Sequence, residues 1–303
     1  MSTIDVKGLQ KSFGRVEAVR GIDFHVDEGE VVAVLGPNGA GKTTTVEILE
    51  GYLERDSGTV SVLGVDPANG GDDFRQRIGI VLQECGITHY LKVGEVLRMH
   101  AGFYRRPRSV NEVIALVGLE EKAGSRIKTL SGGQRRRLDL ALGLIGDPEL
   151  LFLDEPTTGF DPTARRQAWD VVRSLGRLGK TILLTTHYME EAQALADRVL
   201  VISAGRIVAD GPPDSIGGRA QADAQIRFLL PDGVSITDLP LDASPDTGGS
   251  VLVSAAEPTE ALYRLTGWAL EKGHKLDLLT VSKPSLEDVY LALTAPPGER
   301  EKV

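Results

Sequence analysis

Hydrophobic positions change period several times along the chain, and each change predicts an element. Ile4, Val6 and Leu9 alternate with other residues; the pattern breaks at Phe13-Gly14 and resumes at Ala18-Val19 and over 22–26. A two-residue period predicts strands with one buried face. Val31-Val32-Ala33-Val34-Leu35 and Leu150-Leu151-Phe152-Leu153 are apolar at every position, which predicts strands covered on both faces. Further strands are expected at 59–63, 78–82, 181–185 and 199–202, with 206–208 returning from a hairpin at Ser203-Ala204-Gly205. Helical spacing spans Val93 to about Val117 and is broken at Pro107. Leu138, Ala141, Leu142 and Ile145 lie at i, i+3, i+4 and i+7, one apolar helix face, and Asp147-Pro148 ends that helix. Another helix is expected from about 162 to 178, and 51–77 reads as turn-rich.

Strands alternating with helices predict an α/β core with a mostly parallel sheet. The N-terminal strands predict a small antiparallel β subdomain beside it. Gly211-Pro212-Pro213 and Gly217-Gly218 mark a boundary, giving a first domain at 1–218 and a small α/β domain at 219–295. Within the latter we expect strands at 226–230, 251–253 and 276–281 and a helix over 258–272. A last helix has Pro284 in its first turn and Leu286, Val289, Tyr290 and Leu293 on one face. The tail 296–303 is Pro-rich and charged and is expected to be disordered.

Composition narrows the function classes. The net charge is −9 over 303 residues, and residues 219–303 carry 8 basic and 13 acidic side chains, so no basic half is hidden. That argues against a nucleic-acid partner bound by phosphate neutralisation. A single cysteine, Cys85, permits no intrachain disulfide. No apolar run approaches the roughly 20 residues that span a bilayer, so any membrane role is expected to come through a partner.

The richest chemistry follows the strand 31–35. Gly36-Pro37-Asn38-Gly39-Ala40-Gly41-Lys42-Thr43 fits G-x-x-x-x-G-K-[ST] between a strand and a helix opened by Thr44, the context of a phosphate-binding loop. Glycines let the backbone N–H groups curl round a polyphosphate, and the helix N-terminus adds positive potential. Lys42 can reach β- and γ-phosphates, and the Thr43 hydroxyl can ligate Mg²⁺. Asp154, at the carboxyl end of a buried strand, can hold Mg²⁺ through its water shell. Glu155 can polarise an attacking water as general base. Gln83 ends its own strand and can reach both metal and water. His187 can hydrogen-bond the γ-phosphate, the alternative being a structural histidine. Phe13 can stack on adenine or belong to the core. Arg105, Arg106 and Arg108 read as a solvated helix end, with phosphate contact as the other option.

Taken together, 36–44, Gln83, Leu130-Ser131-Gly132-Gly133-Gln134, 150–156, Gly159-Phe160-Asp161 and His187 resemble the ordered motif set of an ABC-type ATPase. Leu-Ser-Gly-Gly-Gln is the discriminating member. The resemblance implies ATP and Mg²⁺, and a homodimer in which Ser131, Gly132, Gly133 and Gln134 of one copy close over the nucleotide held by 36–44 of another, with Asp161 at the seam. Thr185–Ala192 and Pro284–Tyr290 are similar to bacterial drug-export ATPases of the daunorubicin-resistance type. That likeness implies a separate membrane permease docked beside 83–96, and a motor held on the inner face of the cell membrane. A soluble ABC-type ATPase outside transport, or an importer subunit, is the alternative.

Overall fold

The computed structural model describes residues 2–81, 90–219 and 221–294, in two compact units, Met1–Pro213 and Asp214–Val303. Two expected positions, Gln83 and Cys85, lie outside the described residues. In the first unit the elements run β1 (Ser2–Phe13), β2 (Val16–Asp27), β3 (Val31–Leu35), α1 (Lys42–Leu49), β4 (Ser57–Val62), α2 (Gly71–Arg75) and β5 (Ile78–Val81). They continue through α3 (Val93–Ala101), α4 (Val110–Leu116), α5 (Gly132–Leu144), β6 (Leu150–Asp154), α6 (Pro162–Arg177), β7 (Thr181–Thr186), α7 (Met189–Leu195), β8 (Arg198–Ser203) and β9 (Arg206–Gly211).

The apolar runs become the inner strands of a six-stranded sheet ordered β5-β6-β7-β3-β8-β9, with only β8–β9 antiparallel. All five residues of β3 and all six of β7 are buried, as strands covered on both faces require. Leu35 pairs with Thr186 and Asp154 with Thr185, so β6, β7 and β3 end in step. That register sets the loop after β3, the turn after β6 and His187 after β7 at one edge, where open α/β sheets place ligands. The alternating N-terminal segment forms an antiparallel sheet ordered β2-β1-β4. Its Ile4, Val6 and Leu9 join Val46 and Leu49 of α1 and Val32, Val34 and Phe152 of the large sheet in one core.

Two features of this unit differ from the sequence expectation. The turn-rich stretch contains a short helix, α2, docked by Phe74. Helix α7 was not foreseen, because a buried Glu191 interrupts its apolar pattern. As a solvated helix end should, Arg105 stays 74 % exposed while pairing with Asp73 at 2.7 Å, and Arg108 pairs with Asp147 at 3.3 Å.

The second unit holds β10 (Ala224–Leu229), β11 (Ser244–Pro245), β12 (Ser250–Ala255), α8 (Pro258–Lys272), β13 (Thr280–Ser282) and α9 (Leu286–Thr294). Its antiparallel sheet is ordered β11-β12-β10-β13, and Ile226, Phe228, Val251 and Val253 pack against Ala261 and Leu265 of α8. The expected strand at 276–281 forms only from Thr280, since Leu278 has φ 55° in a turn. The last helix starts at Leu286 rather than at Pro284. Ser285 and Asp288 exchange hydrogen bonds there, backbone N–H to side-chain oxygen each way, and so cap it.

Candidate functional site

The loop after β3 is shaped by close backbone approaches. A Cβ on Gly36 would sit 2.4 Å from the Ile202 carbonyl oxygen, and one on Gly41 would sit 2.3 Å from that of Ala18. Gly41 also caps α1 in the left-handed region at φ 103°, open to glycine without strain. The Lys42 ammonium turns back into the loop and donates to Gly36 O at 2.9 Å and Pro37 O at 3.2 Å. Burial lowers its pKa, opposed by the charges of Glu155 and Asp154. The cation therefore stands poised where phosphate oxygens would replace its carbonyl partners.

Two neighbouring strand ends, those of β6 and β7, supply the rest. Asp154 accepts through Oδ1 a short hydrogen bond from the Thr185 hydroxyl of β7, which leaves Oδ2 without a partner among the described residues. Glu155 follows in a left-handed conformation, φ 45°, costly for a non-glycine residue and held by several contacts. Its N–H donates to Thr185 O and Oγ1, Thr158 Oγ1 donates to Oε2 at 3.0 Å, and His187 Nδ1 lies 3.2 Å from Oε1. Lys42 Nζ is 3.8 Å from the same oxygen. Burial pushes the Glu155 carboxyl up, but hydrogen bonds from His187 and Thr158 and the charges of His187 and Lys42 outweigh it and hold it below the usual range. A depressed carboxyl is ionised at neutral pH, as a general base must be.

A cleft of about 580 Å³ joins these groups, lined by Phe13, Asn38, Gly39, Gly41, Lys42, Thr43, Thr44, Asp154 and Glu155 among others. Phe13 is 50 % exposed at its rim, so it is not a core residue. The Thr43 hydroxyl has no hydrogen-bond partner among the described residues. With the open Asp154 Oδ2 it forms the hard-oxygen donor set that Mg²⁺ prefers, so the residues present fit that ion.

The Leu130–Gln134 motif lies elsewhere. Ser131 caps α5, accepting from Gln134 N–H at 3.3 Å while its own N–H donates to Gln134 Oε1 at 3.0 Å. Gln134 is thereby committed to the cap. Gly132 leaves open space where a side chain would stand, whereas a Cβ on Gly133 would press on Ala164 of α6 at 3.1 Å. Asp161 caps α6, accepting from the Thr163 and Ala164 N–H groups, both at 2.9 Å. Ser131–Gln134 and Asp161 line a second cleft of about 800 Å³. The two clefts share no lining residue.

Several residues at the site escaped the sequence reading. Thr185 and Thr158 orient the two acids. Glu191, fully buried on α7, accepts from Thr157 Oγ1 at 2.8 Å and Trp169 Nε1 at 3.1 Å, tying the helix after His187 to the turn after Glu155 and to α6. Tyr188 packs against His187 with ring centroids 4.1 Å apart and planes tilted by 41°, and carries the Arg165 guanidinium at 4.4 Å. Arg136, buried on α5, donates to the carbonyls of Asp154, Glu155 and Pro156. The run Arg135-Arg136-Arg137 carried no signal of its own: three successive helical residues span about 200°, an arc that can lie wholly on an exposed face.

A glycine-bounded anion loop, a buried lysine, and two consecutive carboxylates at the end of a nearby strand define a P-loop nucleoside-triphosphate site. The ABC transporter family pattern matches residues 19–158, and that of an ABC transporter domain-containing protein-like C-terminal domain matches 224–285. A daunorubicin resistance ATP-binding protein of Streptomyces coeruleorubidus is 38 % identical over 97 % of this chain and 96 % of its own. A Nod factor export ATP-binding protein of Paraburkholderia xenovorans is 38 % identical over 97 % of each chain. Among solved structures, an ATP-binding subunit of an ABC transporter shares 27 % identity at TM-score 0.63, covering 70 % of this chain and 91 % of its own. A dimeric ATP-binding cassette bound to ADP and Pi has the same fold at 24 % identity and TM-score 0.61, over 69 % of this chain and 98 % of its own. The chain belongs to the ABC transporter family, as an ATP-binding ATPase subunit.

Proposed function

We propose that this chain is the ATP-hydrolysing motor of an exporter, working as a homodimer on a separate membrane permease and held by it at the inner face of the membrane. Relatives named for daunorubicin resistance and Nod factor export match it over nearly its whole length, which favours export over import. No helix of the described residues is long and apolar enough to cross a membrane, so passage of a solute is assigned to the partner. The alternative of a soluble ATPase outside transport has no observation in its favour.

The observation that carries the dimer is the separation of the two clefts. Within one chain the Ser131–Gly133 helix end lines a cleft to which the loop 36–41 contributes nothing, and a helix N-terminus with glycines is an anion site. A second copy turned head to tail supplies the phosphate. The loop 36–41 and Lys42 then bind the triphosphate, Thr44 contributes beside them, and Phe13 stacks on the base. Thr43 and Asp154 would hold Mg²⁺, with Gln83 assigned to the same shell, and the ion would supply neutralisation of charge on the phosphate oxygens. Glu155 takes the proton of the attacking water, and His187, hydrogen-bonded to Glu155, meets the γ-phosphate. Closure of the dimer moves the permease, and hydrolysis with product release reopens it.

The test is transport. Inside-out vesicles carrying the permease and the wild-type chain should accumulate an exported compound on adding ATP, and those carrying Glu155→Gln should not. ATP-driven release from the vesicles would point to import. Normal accumulation with Glu155→Gln would remove Glu155 from the base role.

A further inference from the structure

Arg136 makes an unusual set of contacts for a side chain one turn into a helix. It is 6 % exposed, and its guanidinium faces the backbone of the turn after β6. Nε donates to Pro156 O at 3.0 Å, and Nη2 donates to Asp154 O at 3.0 Å and to Glu155 O at 3.2 Å. Nη1 lies 3.9 Å from Asp139 on the same helix. Three consecutive carbonyls thus converge on one planar cation, at the residue where the chain enters the left-handed region with φ 45°. The Glu155 carbonyl also accepts from the Thr158 N–H at 3.2 Å, and the fixed fork of a guanidinium suits several acceptors at once.

The contact also spans two parts of the machinery. Arg136 belongs to α5, whose first residues are Gly132 and Gly133 and whose cap is Ser131. The turn it grips carries Asp154 and Glu155. We propose that Arg136 is a positioning residue that ties the signature helix to the catalytic turn, so that closure of α5 on a second copy's nucleotide sets the Glu155 carboxylate toward the chain's own nucleotide. The physics is a rigid link: Ser131 and Arg136 ride one helix, and any rotation of that helix pulls on three backbone carbonyls flanking the base. This inference rests on the reading of Glu155 as base and of Ser131–Gly133 as acting on a second copy.

The tie predicts a split between binding and turnover. Lysine keeps the charge but loses the fork. Displacements near 1 Å at a reacting group cost about a hundredfold in rate. Arg136→Lys in the full-length chain should therefore bind ATP within about twofold of wild type and lose turnover by about tenfold or more. Placed in the Glu155→Gln background, it should still form the ATP-dependent dimer. Asp139→Asn, which weakens the ion pair at Nη1, should give a smaller turnover loss in the same direction. Wild-type turnover in folded Arg136→Lys overturns the inference. So does a parallel loss of ATP binding, dimer formation and melting temperature, and so does failure of both variants to fold, since each marks Arg136 as part of the scaffold alone. Glu155→Gln run alongside separates the two readings. If it hydrolyses ATP normally, the base assignment fails. If it is silent while Arg136→Lys is normal, only the tie fails.

Discussion

At the scale of single residues, the legible part of the site was the part written in local sequence. Lys42, Thr43, Asp154 and Glu155 sit beside apolar runs whose strand character is unambiguous, so their position at a sheet edge followed from the chain alone. Arg136, Thr185 and Glu191 act through contacts 18 to 34 residues away, and no periodicity encodes such a partner. Two carboxyls carry the clearest predictions. Glu50, at the end of α1, has its pKa raised from 4.5 to about 8 by burial and by the charges of Asp154 and Glu47. The folded state thus keeps a proton that the unfolded state releases near 4.5, so stability falls as pH rises between these values. Glu50→Gln should remove that slope and raise the melting temperature at pH 8 by about 3 °C or more, read by thermal melts of the nucleotide-free protein across pH. Glu155 runs the other way: its carboxyl is depressed, so its contribution is present above the ordinary glutamate pKa and lost as pH falls through the depressed value. The acid limb of ATPase activity attributable to Glu155 should lie below the ordinary glutamate range, and a Glu155-dependent limb at pH 6 to 7 would contradict its environment. Glu155→Gln should cut turnover by about 10²–10³, the scale expected when a positioned catalytic group is lost, with ATP binding retained in an equilibrium titration.

Elements with a long and clean pattern were readable; short ones with buried polar residues were not. The runs 31–35 and 150–153 gave β3 and β6 because an unbroken apolar run this short, bounded by turn residues, suits a strand covered on both faces. Helix α8 was read to its ends, since Pro258 starts it and Gly273, in the left-handed region, stops it. Helix α7 is seven residues long and buries a carboxylate, so its pattern gave no signal. At this scale the glycines of the loop make a firm prediction. Gly41→Ala places a Cβ against the Ala18 carbonyl and forces φ 103° on a residue that disfavours it, so ATP binding should weaken by about tenfold or more while the sheet stays folded by circular dichroism. Retained affinity would mean that the loop opens in solution. The capped end of α5 makes the complementary prediction. Ser131→Arg puts a long cation where a second copy's phosphate would approach, so turnover should vanish while the isolated chain still binds ATP. Loss of binding by that chain would place Ser131 at its own nucleotide.

For the whole molecule, the sequence carried the α/β class and the two-part organisation in its alternation of strands and helices and in its Gly/Pro-rich break. The boundary was expected after residue 218, and the compact units divide between Pro213 and Asp214; the 216–218 turn packs with the second unit, where Val289 of α9 crowds Gly217. The family resemblance implied that Ser131–Gln134 serve a second copy's nucleotide, and in the folded chain the phosphate loop and the Ser131 helix end line separate clefts. On that separation the function rests: each chain carries two halves of different sites. The most direct test is the mass of the full-length Glu155→Gln chain by light scattering, with and without ATP and Mg²⁺. The account predicts a monomer without nucleotide and a doubling of mass with ATP and Mg²⁺, abolished by adding Ser131→Arg to the same chain. A chain that binds ATP yet stays monomeric, or a dimer indifferent to Ser131→Arg, would contradict it.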